Sequence, residues 1–132
     1  NTMNKIDKIP VNIQLHQRSA VLELEYDNGK TYQLSCEFLR VLSPSAEVQG
    51  HGRGQEVLQT GKKNVKINNI KPVGKYAIQL VFDDGHDSGL YSWRYLHELC
   101  ENQEAYWKNY LQRLHETGEG RDPDVQVVRL GN

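Results

Sequence analysis

Two stretches of this chain carry almost the same folding pattern. Leu22-Glu23-Leu24-Glu25-Tyr26-Asp27-Asn28-Gly29 is echoed by Ile78-Gln79-Leu80-Val81-Phe82-Asp83-Asp84-Gly85, and Ser35-Cys36-Glu37-Phe38-Leu39 by Ser92-Trp93-Arg94-Tyr95-Leu96. In both, apolar residues recur at every second position, the period of a half-buried strand. Both runs end in an Asn-Gly or Asp-Gly pair, which accepts the positive φ of a tight hairpin turn. A serine then stands where a helix N-cap is needed. A repeated unit and independent use of the same hairpin and cap chemistry both account for this. The shared order predicts an α+β domain: small, mostly antiparallel sheets from two hairpin–helix (ββα) units, with a C-terminal helical region.

The rest of the chain fits around these units. Val11, Ile13 and Leu15 predict a further strand before a turn at His16 to Ser19, and Thr31 to Leu34 the return strand of the first hairpin. Ser35 caps a short helix from Cys36 to Leu42, which Ser43-Pro44 stops. From 43 to 63 periodicity vanishes among four glycines, which predicts a long loop with a short ordered piece at Val57-Leu58. Strand pattern resumes at Val65 to Val73, continues through Tyr76, Ile78, Leu80 and Phe82, and returns near Ser88 to Tyr91. Trp93, Leu96, Cys100, Trp107, Tyr110, Leu111 and Leu114 form an amphipathic stripe, so both tryptophans are expected to be largely buried. Asn102 is expected to end one helix and cap a second, and Thr117-Gly118 to close the helical run. The tail, 119–132, starts polar, and Val125, Val127 and Val128 predict a late strand. The 132 residues form one domain with its core over about 11–117.

Composition narrows the function classes. The hydrophobic share is 37%, the charged share 25% and the formal net charge -1. No whole-molecule field therefore recruits nucleic acid or an anionic membrane. No apolar run approaches the roughly 20 residues that cross a bilayer, and 1–10 lacks a signal-peptide core. Cys36 and Cys100 are too few for a disulfide framework. These features predict a cytoplasmic protein with reduced thiols. Met3 is the only methionine, which predicts a natural start there.

Few constellations carry chemistry. Gly50-His51-Gly52-Arg53-Gly54 is permissive, but its spacing to Gly61-Lys62-Lys63 does not make a phosphate loop. His97 and Cys100 supply two ligands of an incomplete zinc site. Lys62, Lys63, Lys66, Lys71 and Lys75 read as a solvated strand edge. Asp83-Asp84-Gly85-His86-Asp87 remains, with acids and an imidazole on a tight turn, suited to contact with a partner or a metal and equally to turn formation. With His51 and Arg53 of the preceding loop, Asp83, Asp84, His86 and Asp87 form the candidate contact set. The alternative is a metal-binding protein using His86, His51 and neighbouring carboxylates. A third reading is an enzyme with the glycine-rich loop as a lid.

Phe38-Leu39-Arg40, Ser43-Pro44-Ser45, Phe82-Asp83-Asp84-Gly85-His86-Asp87-Ser88, Trp93 and Leu96 together resemble the N-terminal domain of gamma-butyrobetaine hydroxylase. The closer resemblance is to the stand-alone, uncharacterised bacterial proteins built from that domain, and it covers about Val11 to Leu114. In the hydroxylases the domain holds a structural zinc on three cysteines and a histidine. The resemblance places those positions on Ser43, Ser45, Val48 and His86, so it implies a degenerate site with no metal and no cofactor. The oxygenase centre belongs to a separate domain, so its activity does not carry over. Related domains fused to carriers of iron–sulfur clusters imply an accessory role there or beside an oxygenase. The expectation is a non-catalytic binding module with a protein partner.

Overall fold

A computed structural model describes residues 8–50, 54–123 and 130. His51, Arg53 and the strand expected around Val125 to Val128 lie outside them.

Among the described residues the chain forms two three-stranded antiparallel sheets, each followed by a helix. The first sheet contains β1 (Asn12–His16), β2 (Val21–Glu25) and β3 (Thr31–Ser35), and leads into α1 (Cys36–Val41). The second contains β4 (Ile67–Val73), β5 (Ala77–Phe82) and β6 (Leu90–Ser92), and leads into α3 (Trp93–Glu101). The repeated unit is therefore βββα: each expected hairpin–helix is joined by the strand expected before it. Between the units lies a four-residue helix, α2 (Ala46–Gln49). A helix inside the expected loop is a correction: Ser45 precedes four residues that complete one turn, too short for periodicity to reveal. Val57 N–H donates to Val48 O at 2.8 Å, which holds the expected Val57-Leu58 piece against α2.

The two units match down to single hydrogen bonds. Tyr26 N–H donates to Lys30 O as Phe82 N–H does to His86 O. Asn28 Oδ1 accepts from Lys30 N–H as Asp84 Oδ1 does from His86 N–H. Gly29 and Gly85 take φ of +85° and +90°. Ser35 Oγ accepts from Phe38 N–H at 2.9 Å, and Ser92 Oγ from Tyr95 N–H at 3.1 Å, so both predicted caps are made.

One core joins the sheets, with Leu22, Leu24, Leu34, Phe38, Leu39, Ile67, Leu80, Phe82, Tyr91, Leu96 and Leu99 buried. All six residues of α1 are buried, Glu37 and Arg40 included. Such charges must find partners, because leaving water unpaired costs several kcal/mol. The orphan carbonyls near the end of α1 are taken by tyrosines: Tyr91 Oη donates to Leu39 O and Tyr95 Oη to Leu42 O.

Asn102 does separate α3 from α4 (Gln103–Thr117). Its side chain donates back to Glu98 O at 2.8 Å, so it closes α3 and does not cap α4. Gly118, at φ +72°, ends α4 where expected. Trp93 and Trp107 have most of their surface covered and pack against the core, as the stripe predicts, without being fully buried. Each meets a polar neighbour: Trp93 Nε1 donates to Lys75 O, and Arg121 lies over the face of the Trp107 ring. No helix among the described residues is long and apolar enough to cross a membrane.

Candidate functional site

The second hairpin turn and the segment after α1 meet in a polar clasp. Arg40 is delivered by α1, whose six residues are all buried, so its guanidinium needs partners, and the Asp83–Asp84–Gly85 turn supplies one. Its Nε donates to Asp84 Oδ2 at 2.9 Å, and its Nη1 to Gln59 Oε1 at 3.0 Å. Lys62 Nζ reaches the same Asp84 oxygen at 2.7 Å. Burial by itself raises the Asp84 pKa. The hydrogen bonds from Lys62, the His86 N–H and Arg40, with the Arg40 charge, outweigh it and bring the carboxyl down to about 2.

His86 is buried behind that pair. Its Nε2 lies 2.8 Å from Ser43 Oγ and 3.5 Å from Ser45 Oγ, and its Nδ1 lies 3.1 Å from Glu47 Oε1. Desolvation and the neighbouring Arg40 charge lower its pKa, against opposing pulls from Glu47 and Asp84. A neutral ring satisfies both sides: Nδ1–H donates to Glu47, and Nε2 accepts from the Ser43 hydroxyl. Ser88 Oγ donates to the same Glu47 oxygen at 2.9 Å, and Gln49 Nε2 donates to Ser43 O at 3.0 Å. The clasp therefore ties 43–49 to the turn through side chains that are almost all mutually engaged.

The expected contact residues separate here. Asp84 and His86 join, whereas Asp83 serves β4: its Oδ1 accepts from Lys66 N–H at 3.0 Å. Asp87 is exposed, and its carbonyl accepts from Gln79 Nε2. Arg40, Glu47, Gln59 and Lys62 belong to the site but not to the expected set. Only Arg40 left a signal, as a charge flanked by apolar residues on a short helix. Gly89 is a further hidden participant. A Cβ there would stand 2.4 Å from Ser43 Oγ and 3.2 Å from the Tyr91 ring.

Ser43, Ser45, Val48 and His86 do come together, since buried Val48 lines the same cleft of about 270 Å³ with Arg40, Glu47, Gln59 and Asp84. As a donor set they do not fit a closed zinc site. Two neutral alcohols and an isopropyl group stand where sulfur or nitrogen donors are needed. Among the described residues no three His, Cys, Asp or Glu side chains group around a common point suited to a metal. Elsewhere, His97 packs edge-on against Tyr26 and Tyr32. Cys36 and Cys100 are buried free thiols whose pKa values burial raises, that of Cys100 to about 11, which makes both poor nucleophiles.

Comparison with known proteins agrees with this architecture. Two proteins with solution NMR structures are similar over nearly their whole lengths. One is 51% identical with a TM-score of 0.82, covering 96% of this chain and 100% of its own. The other is 49% identical with a TM-score of 0.77, covering 98% and 97%. A crystal structure of a protein of unknown function from Acidithiobacillus ferrooxidans, of the DUF971 family, is 38% identical with a TM-score of 0.57, over 68% of this chain and 90% of that one. No curated protein matches. Residues 13–97, from β1 into α3, match the family described as gamma-butyrobetaine hydroxylase-like, N-terminal, and the chain belongs to that family.

Proposed function

We propose that this protein is a non-catalytic binding module serving a protein partner, as an accessory in iron–sulfur assembly or beside an oxygenase. The observation that carries the reading is the engagement of the clasp with itself. Asp84 holds two cations, Arg40 donates to two acceptors, and both nitrogens of His86 are taken. The groups best suited to proton transfer there, Asp84 and His86, are thus already engaged by neighbouring side chains. The clasp then works mechanically, fixing the segment after α1 to the second turn with hydrogen bonds in place of metal bonds. Thermal melts with and without a strong chelator are expected to coincide. A drop of many degrees with chelator, alongside stoichiometric zinc in untreated protein, would favour the metal-binding alternative instead.

Affinity purification with this chain as bait, read by mass spectrometry, is expected to recover one protein in near-stoichiometric amount. His86→Ala is expected to cost about 1–3 kcal/mol of stability by leaving Ser43 and Glu47 without their partner. At a temperature where that variant is still folded, it is expected to recover the same protein. A folded His86→Ala chain that captures nothing would make the clasp itself the contact surface. Turnover of a small molecule by the purified chain, with no partner recovered, would defeat the reading.

A further inference from the structure

The other buried charge on α1 is met from the tail. Glu37 is 6% exposed, and both its oxygens accept from one guanidinium: Oε2 from Arg121 Nε at 2.8 Å and Oε1 from Arg121 Nη2 at 2.7 Å. The same guanidinium lies 5.2 Å from the centroid of the Trp107 ring, and that ring meets Phe38 edge-on at 6.3 Å. A paired fork on a carboxylate, with an aromatic ring against the planar cation, is an arrangement that suits arginine and that lysine cannot reproduce.

The segment that delivers Arg121 is held lightly. Gly61 N–H donates to Gly120 O and Lys63 N–H to Arg121 O, and Lys63 pairs with Asp122 at 3.4 Å. None of residues 119–123 is fully buried, and the segment contributes no side chain to the hydrophobic core. Segments without buried apolar contacts open at the lowest cost in a fold. Beside Arg121 a cleft of about 500 Å³ stays open, lined by Glu37, Phe38, Gln103, Glu104, Trp107 and Arg121. Glu104 is exposed in the first turn of α4, so the cleft has two carboxylates to one cation. Glu37 lies inside the stretch that matches the family, whereas Arg121 lies beyond it.

We propose that this cleft recognises an arginine side chain presented by a protein partner, and that Arg121 occupies it as an intramolecular stand-in until the partner displaces the tail. The proposal rests on the reading of the chain as a binding module and names the chemistry of the partner. Its test uses N-acetyl-arginine amide, with Trp107 fluorescence followed in a Trp93→Phe background. Arg121→Ala is expected to bind the amide about tenfold more tightly than the chain that keeps Arg121, because an internal competitor has gone. N-acetyl-citrulline amide, similar in shape but uncharged, is expected not to bind. Adding Glu37→Gln to Arg121→Ala is expected to abolish arginine binding. Equal affinity with and without Arg121, binding indifferent to Glu37→Gln, or no binding by either chain overturns the proposal. Should a melt show Arg121→Ala unfolded, Arg121→Lys takes its place under the same criteria, since it keeps the charge without the fork. Failure here with partner capture intact removes the arginine site and leaves the module reading standing.

Discussion

Gly50→Ala is expected to lose about 3–5 kcal/mol of stability, the sum of backbone strain and overpacking. Gly50 closes α2 at φ +72°, a region that side chains rarely adopt. A Cβ there would lie 2.0 Å from the carbonyl oxygen of Gln55 and 2.6 Å from its carbon. Backbone has to move to admit it, and the bond from Val57 N–H to Val48 O holds the two arms together. Gly29 is the matched control, because at φ +85° a Cβ would meet nothing within 4 Å. Gly29→Ala is therefore expected to carry strain alone, about 1 kcal/mol. Urea titration of both variants measures the difference. Equal losses would mean that the close approach at Gly50 contributes nothing.

Asp84→Asn is expected to cost about 1–3 kcal/mol, because the Arg40 side of the pair is buried while Asp84 itself is partly exposed. The substitution keeps the shape of the side chain and removes its charge. Arg40, whose side chain is only 8% exposed, then faces Lys62 with no carboxylate between them. Pairing Asp84→Asn with Arg40→Met tests the coupling, since a broken pair predicts that the double variant loses much less than the two single losses together. The same pair sets the acid response. Asp84 has a folded pKa of about 2 against 3.8 for an unperturbed carboxyl, so its contribution is present above 3.8 and fades as pH falls toward 2. His86 acts earlier in the same direction. Its folded pKa lies below the ordinary 6.5, so the unfolded chain takes up the proton first and stability declines as pH drops through that window. In Asp84→Asn the loss between pH 4 and about 2 is expected to shrink, while the decline below neutrality persists.

The clasp was half legible. Asp84 and His86 stood out because acids and an imidazole on a tight turn are conspicuous wherever the chain goes. The resemblance brought Ser43, Ser45, Val48 and His86 into view as one set, and the fold does gather them. Glu47 and Lys62 looked like ordinary surface charges, since nothing near them in sequence hints at a histidine or an aspartate far along the chain. Gly89 was invisible for a related reason: its need to be small comes from Ser43, which approaches it from the segment after α1. The stripe did place both tryptophans against the core, because periodicity records which face of a helix turns inward.

By itself the sequence determined the hairpins, the two serine caps, the break at Asn102 and the repeated order of sheet and helix. Those features depend on alternation, on which residues accept positive φ, and on a hydroxyl reaching a nearby N–H, all within a few residues. Tertiary structure alone decided how the charges on α1 are neutralised. Glu37 meets Arg121 across 84 positions, and Arg40 meets Asp84 across 44. Both glutamate and arginine on a short apolar helix demand partners, because burying an unpaired charge is too costly. Which residues answer that demand depends on where the turns and the tail return in space, and local sequence does not encode that path.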